Sequence, residues 1–337
     1  MTPTSSQSMV VQVQPALHRL LVVANPRAFA TLPSEWWPDA VNALRCNATF
    51  CGDVETRGDG GNVDRIARSI EQTEPGIVVA AGGDGTVREV VQAIMQARTP
   101  PALAIIPLGT GNSVARSFGL RSWRKHGRAA IDIAVGAALH GIERRIDLGQ
   151  VDGRYFIGSF AVGMDGDILG LRNRYHDKVR PRAPQGYPLY LWSCAVNLLR
   201  RHGGAAQLCV DGTAFTTRIY NVLVTNTPIY AGEFRFDAAA HADDGCLDLL
   251  EFNGAADYVR RYSFAWVRHL RHGRGHTVAP ARQLQRVRAV DIELEVPVPG
   301  QLDGEELEAA RRYRVRVVPQ ALRVRVPPVA TGHAAGV

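Results

Sequence analysis

Apolar and polar positions follow two different rhythms along this chain. In the first part, short unbroken apolar runs alternate with segments of helical spacing. Residues 19–24 (RLLVVA), 77–81 and 102–106 are apolar almost throughout, the pattern of strands buried on both faces. Each run ends in a turn signal: Asn25-Pro26, then Gly82-Gly83, then Pro107 and Gly109. Between them, residues 62–71 carry apolar side chains at 63, 66, 67 and 70, and residues 87–97 place Val90, Val91, Ile94 and Met95 on one side. A helix over 35–44 and a strand over 48–54 complete the series. Strands alternating with helices predict a parallel α/β sheet.

The rhythm changes near residue 143, with the boundary between 121 and 145. Runs 146–151 and 155–161 flank Asp152-Gly153, a hairpin signal, and runs 207–210 and 214–223 flank Asp211-Gly212 in the same way. Residues 247–252, 289–296 and 313–318 are further strands, interrupted by helices over 189–200 and 255–270. The second half therefore reads as a mainly antiparallel β domain.

Composition narrows the picture a little. The chain has 337 residues, enough for one large or two ordinary domains, with 46% hydrophobic and 21% charged residues, as in ordinary globular proteins. A net charge of +7 calls for an anionic partner: nucleotide, nucleic acid or acidic membrane surface. The five cysteines are scattered with no C-x-x-C, which argues against zinc and redox motifs and for free thiols in a reducing cytosol. No apolar run is long enough to cross a bilayer. The Ser/Thr/Gln-rich start lacks the features of a secretion signal and predicts a disordered tail over 1–16.

Gly82-Gly83-Asp84-Gly85-Thr86 follows a buried strand and precedes a helix. Glycines let backbone approach a ligand, and a helix N-terminus presents free N–H groups that suit phosphate, with Thr86 as a cap or phosphate donor. Asp84 would repel an anion unless a metal intervenes, which points to Mg²⁺ arriving with a nucleotide. Leu108-Gly109-Thr110-Gly111-Asn112-Ser113 repeats the arrangement after the next strand. Two such loops at the ends of successive parallel strands converge on the usual ligand crevice. No G-x-x-x-x-G-K-[ST], no H-R-D/D-F-G set and no complete G-x-G-x-x-G is present, which excludes P-loop, protein-kinase and dinucleotide-binding readings. Near the end, Asp303 and Glu305 lie two apart across a tight turn. They can aim a carboxylate at a hydroxyl proton, as phosphoryl transfer requires.

These motifs together resemble the diacylglycerol kinase catalytic family, which includes bacterial lipid kinases, sphingosine kinases and ceramide kinases. The resemblance rests on Asn25-Pro26, AGGDGTVRE over 81–89, LGTGNSVAR over 108–116, SFAVGMD over 159–165, YAGEFRFDAAAHADDGCL over 230–247 and Leu302-Asp303-Gly304-Glu305, in that order. It implies a nucleotide-binding α/β domain with a parallel sheet, then an antiparallel β-sandwich, with the active site in the cleft between them. The partition is 17–143, 144–318 and a C-terminal strand over 319–330 packing back on the first domain. It further implies ATP contacts at Asn25, Pro26, Thr56, Gly82, Gly83, Asp84, Gly85, Thr86, Val87, Arg88, Gly109, Thr110 and Asn112. Asp303 and Glu305 would flank the acceptor hydroxyl, one of them as general base. Asp244, with backbone oxygens near His241 and Cys246 or Leu247, would hold a structural Mg²⁺. One position departs from many bacterial members: Ser113 stands where they carry Asp, as in the sphingosine kinase variant.

The implied partners are a lipid substrate and, peripherally, an anionic membrane surface on the cytoplasmic side. Two basic stretches suit such docking: Arg172, Arg174, Lys178, Arg180 and Arg182, and Arg260, Arg261, Arg268, Arg271, His272 and Arg274 interleaved with Tyr262, Phe264 and Trp266. No nucleic-acid motif supports a nucleic-acid partner, and a homodimer is left open. Two other readings remain: a soluble-substrate kinase sharing G-G-D-G-T, such as an NAD kinase, and a non-catalytic lipid-binding protein on the same fold.

Overall fold

The computed structural model describes residues 18–178, 187–198, 204–237, 241–272 and 284–328. The expected tail over 1–16, and Arg180, Arg182 and Arg274 of the basic stretches, lie outside them.

Four parallel strands and their connecting helices form the first half: β1 (Arg19–Ala24), α1 (Pro26–Phe29), α2 (Trp36–Asn47), β2 (Thr49–Glu55), α3 (Asn62–Thr73), β3 (Ile77–Gly82), α4 (Asp84–Ile94) and β4 (Ala102–Pro107). They are ordered β2-β1-β3-β4, every pair parallel. Helices cover this sheet, so β3 and β4 are buried at every position, and their sequences show no polar alternation. Ile66 and Ile70 of α3, and Val90, Val91 and Ile94 of α4, supply the facing apolar stripes. Three further helices, α5 (Ser113–Ser117), α6 (Trp123–His126) and α7 (Arg128–His140), lead to the second half.

That half runs β5 (Ile142–Val151), β6 (Arg154–Phe156), β7 (Ser159–Gly163), α8 (Met164–Lys178), α9 (Tyr187–Leu198), β8 (Gly204–Val210), β9 (Thr213–Ile219), β10 (Asn221–Thr225), β11 (Leu247–Phe252), α10 (Ala255–His272), β12 (Gln285–Val287), β13 (Ala289–Leu302) and β14 (Glu305–Val326). All pairings within it are antiparallel. The fold is thus the α/β domain with parallel strands followed by the antiparallel β-sandwich domain. The long strand β14 joins them. Its first residues pair with β13, and its last pair with β5 and, at Val324, run parallel to β4 beside Leu103.

Three elements differ from the sequence expectation, each for a visible reason. Helix α4 begins at Asp84 rather than 87, so the glycine motif is itself the first turn. The expected strand 155–161 is cut into β6 and β7 because the amides of Ile157 and Gly158 turn away to a side chain described below. Helix α8 was not expected: Gly166 and Gly170 resemble loop residues in sequence. In the structure, a Cβ on Gly166 would lie 2.3 Å from the Pro299 carbonyl and one on Gly170 would lie 2.8 Å from the Glu306 carboxylate. Both glycines are there for close packing of the helix on β13 and β14.

Candidate active site

The C-terminal ends of β1, β2, β3 and β4 bring Asn25, Thr56, the Gly82–Gly85 turn and the Gly109–Asn112 turn to one edge of the sheet. The Asn25 carboxamide caps α1 by accepting the Arg27 N–H at 3.0 Å, with Pro26 in the first helical turn. Its Nδ2 donates to Thr86 Oγ1 at 3.4 Å, tying the turn after β1 to the turn after β3. The Thr56 N–H donates to the Ala24 carbonyl at 2.9 Å and so sits beside Asn25.

The glycines are required sterically. A Cβ on Gly82 would fall 2.3 Å from Thr86 Oγ1, and one on Gly109 would fall 2.5 Å from Gly83 Cα. The two glycine turns therefore touch backbone to backbone. Gly83 is the N-cap of α4 and offers no side chain to the first-turn amides, and Gly85 has open space where a Cβ would point. An uncapped helix start with an open approach fits a phosphate.

The expected contact residues divide into two groups. Gly83, Asp84, Gly85, Arg88 and Thr110 are exposed or half-buried. Thr86 and Val87 are buried instead: Thr86 is neither the cap nor a free donor but the acceptor for Asn25, and Val87 packs in the core. Asn112 is 2% exposed. Its Oδ1 accepts the Gly109 N–H at 3.0 Å and its Nδ2 donates to the Gly109 carbonyl at 2.8 Å. It adopts φ +50°, tolerable for Asn, and shapes the loop from within.

Asp84 turns across to the second loop, where its Oδ1 accepts the Val114 N–H at 3.2 Å. Burial raises its pKa, while the amides of 112–114 and the Ser113 hydroxyl pull the other way. A carboxylate in place of Ser113 would set two like charges side by side, so the serine suits a loop whose one acid is held by hydrogen bonds.

The Leu302-Asp303-Gly304-Glu305 turn joins β13 to β14 and faces this edge. Asp303 Oδ1 accepts the N–H groups of Gly158 and Ser159, both at 2.8 Å, and Oδ2 accepts that of Ile157 at 2.9 Å. These are the amides that interrupt the strand between β6 and β7. Burial still dominates and pushes the Asp303 carboxyl up to about 6. Val114 of the second loop and Thr227 line the same corner around Gly158, and Thr227 Oγ1 is buried with no hydrogen-bond partner among the described residues. Glu305 is oriented otherwise: it pairs with Arg88 of α4 at 2.9 Å and Arg154 of β6 at 3.2 Å. Arg88 thus spans from the first glycine loop to the acidic turn. Both carboxylate oxygens of Glu89, next to it, lie 3.0 Å from Asn62 Nδ2 as acceptors, and burial raises the Glu89 pKa.

Of the expected metal set at His241, Asp244, Cys246 and Leu247, Asp244 is the one that would use its side chain, the others offering backbone oxygens. Asp244 forms an ion pair with Arg286 of β12 and accepts the Cys246 N–H at 3.0 Å. Its neighbour Asp243 pairs with Arg144 at 2.6 Å. No cluster of three or more His, Cys, Asp or Glu side chains suited to a metal occurs among the described residues. In this structure the two carboxylates of the turn are paired with arginines. What holds the turn is Asp147, fully buried, which accepts the Gly245 N–H at 2.6 Å and the Gln320 N–H at 2.7 Å. Asp147, Arg154 and the Arg286 partner were not found from sequence. Asp165, of the SFAVGMD match, lies buried at the start of α8, where Asn221, Tyr258 and Tyr262 donate to it.

Comparison with known proteins gives the family of the chain. Residues 19–151 match the diacylglycerol kinase catalytic domain, and residues 158–326 match the YegS C-terminal NAD kinase beta sandwich-like domain. The chain belongs to the diacylglycerol kinase catalytic family, with a YegS-type C-terminal domain. It is 28% identical over 274 residues to a Pseudomonas aeruginosa PAO1 protein named "Probable lipid kinase YegS-like", covering 81% of this chain and 84% of that one. It is 29% identical over 202 residues to the diacylglycerol kinase of Bacillus subtilis 168, covering 59% and 63%. The crystal structure of a diacylglycerol kinase from Bacillus anthracis str. Sterne superposes with a TM-score of 0.66 at 15% identity, covering 94% of this chain and 99% of that one, a likeness of fold.

Proposed function

We propose that this protein is an ATP-dependent lipid kinase that transfers the γ-phosphoryl group of ATP to the hydroxyl of diacylglycerol or a related lipid. The observation that carries this reading is the Arg88–Glu305 ion pair. It sets the phosphate-type helix start of one domain against the acidic turn of the other.

The uncapped amides at the start of α4 bind phosphate oxygens, and Arg88 adds a positive charge at the domain junction. ATP brings a divalent cation, Mg²⁺, that offsets phosphate charge. Asp84 is the protein carboxylate nearest that role, and no donor cluster beyond it is needed for an ion that arrives with the nucleotide. Asp303 is the general base. Its Oδ2 accepts one backbone N–H and keeps capacity for the acceptor hydroxyl, and its raised pKa places proton acceptance near neutrality. The hydroxyl oxygen bonds to the γ-phosphorus, its proton passes to Asp303, and the bridging P–O bond to ADP breaks. Thr227 Oγ1, in the same corner, is a donor or acceptor for the lipid hydroxyl. Glu305 positions Arg88 and Arg154.

The test is ADP release by purified protein with Mg²⁺, ATP and mixed micelles carrying diacylglycerol, monoacylglycerol, phosphatidylglycerol, sphingosine or ceramide in turn. A phosphorylated lipid product that disappears in Asp303→Asn supports the reading. Turnover with NAD or a sugar phosphate and none with any lipid would overturn it in favour of a soluble acceptor.

A further inference from the structure

Helix α10 has two faces in different surroundings. On the inner face, Tyr258 and Tyr262 donate to the buried Asp165 carboxylate at 2.5 and 2.8 Å, and Ala265 is fully buried. Tyr262 also packs edge-on to Phe234 and Phe236. The helix is thereby fixed to the body of the second domain. On the outer face, Val259, Phe264, Trp266, Val267 and Leu270 are between 37% and 57% exposed. Nine large apolar side chains are exposed among the described residues, and five of them are on this one helix. That concentration is not the scattered apolar exposure of an ordinary surface.

At about 3.6 residues per turn, Val259, Trp266, Val267 and Leu270 form one stripe. Arg260, Phe264 and Arg271 form the adjoining edge. Arg260 and Arg261 both pair with the carboxylate of Asp257, at 2.7 and 2.9 Å. No helix among the described residues is long and apolar enough to cross a membrane. An apolar stripe beside arginines on a helix that does not span is the pattern of a helix lying in the bilayer interface. The inner side of α10 also reaches the catalytic edge: the Arg116 guanidinium, from the second glycine loop's helix, meets His269 Nε2 at 2.9 Å.

We propose that the outer face of α10 docks on an anionic phospholipid bilayer, with Phe264, Trp266, Val267 and Leu270 entering the headgroup boundary and Arg260 and Arg271 on lipid phosphates. This rests on the lipid-kinase reading, which needs the enzyme to reach a substrate that stays in the membrane. Charge complementarity selects this occupant: the stripe is bordered by arginines and the chain carries +7 overall.

The experiment is co-sedimentation of the full chain with vesicles of phosphatidylcholine alone or mixed with phosphatidylglycerol. The wild type should bind the mixed vesicles more tightly than the neutral ones, and salt should weaken that preference. Arg260→Glu with Arg271→Glu should lower partitioning to the mixed vesicles by about tenfold or more. Phe264→Glu with Leu270→Ser should lower partitioning to both vesicle types. Trp266 emission should shift to the blue on binding, and the change should vanish in Trp266→Phe, a variant mild enough to leave folding intact. Turnover of a short-chain, dispersed lipid should be unchanged in all of these variants. Wild-type vesicle binding in the variants overturns the docking face while leaving the kinase reading intact. Vesicle binding with no turnover of any lipid overturns the kinase reading and leaves the face standing. A wild-type dimer that Phe264→Glu with Leu270→Ser dissociates overturns the proposal, because the face is then covered by a second copy.

Discussion

The second domain contains two Asp-Gly turns that look alike in sequence and end in opposite states. In both, the glycine has a left-handed φ, +80° at Gly304 and +73° at Gly245, the backbone a tight turn demands. At the first turn the Asp303 carboxylate meets three backbone N–H groups at 2.8–2.9 Å. At the second, Asp243 and Asp244 meet the guanidiniums of Arg144 and Arg286. Neutral donors orient a carboxylate without cancelling its charge, so burial raises its pKa to about 6 and leaves it able to take a proton. Arginines cancel the charge and leave a fastened turn. What separates a candidate base from a structural brace is thus the kind of partner, which the dipeptide itself does not encode.

The comparison breaks most sharply at Asp303. Asp303→Asn keeps the size of the side chain and removes the base, so kcat should fall by about 10³-fold. Asp244→Asn should leave kcat within about twofold, since among the described residues that group pairs with Arg286 and a backbone amide. Steady-state kinetics on the two purified variants decides it: equal losses would erase the distinction between the turns.

A titration sharpens the same point with a smaller effect. The Asp303 pKa is raised from 3.8 to about 6, so the carboxylate form predominates above that value and the protonated form below it. If Asp303 accepts the hydroxyl proton, log(kcat/KM) should rise with unit slope up to about pH 6 and level off above it. A limb centred near pH 4 would show that the base is a carboxyl with an ordinary pKa. Glu305→Gln comes next: it weakens the hold on Arg88 and Arg154, both partly exposed pairs, and should cost about tenfold in kcat/KM without moving the limb. A limb that moves in Glu305→Gln would make Glu305 the base.

How much of this was legible in sequence follows the same division between local and long-range causes. The parallel sheet was legible because β3 and β4 are buried at every residue and carry no polar alternation. The glycine loops were legible because Gly82 and Gly109 answer to steric demands that only glycine meets. Helix α8 was hidden because Gly166 and Gly170 serve close packing against strands more than a hundred residues away along the chain. The break between β6 and β7 was hidden because its cause, Asp303, lies at the far end of the second domain. The arginine pairs of the acidic turn were hidden because Arg144 and Asp147 come from β5 and Arg286 from β12, and no spacing rule links them to residues 243–245.

The smallest expected effect tests that last point. If arginines fasten the 243–245 turn, a chelator should leave the Tm of the nucleotide-free protein unchanged. Arg286→Met removes one half of a partly exposed pair, a loss of about 1 kcal/mol, and should lower the Tm by about 2–4 °C. The buried anchor at Asp147 stays in place, which is why the loss is limited. Removing Arg286 leaves Asp244 without that counter-charge, so Mg²⁺ should recover part of the lost Tm in Arg286→Met while doing nothing for the wild type. A drop of several degrees when the wild type is treated with a chelator would mean that a divalent ion displaces Arg286 from Asp244. The two turns would then differ in having a metal at one of them, and the arginine clamp would be the arrangement the chain adopts only without it.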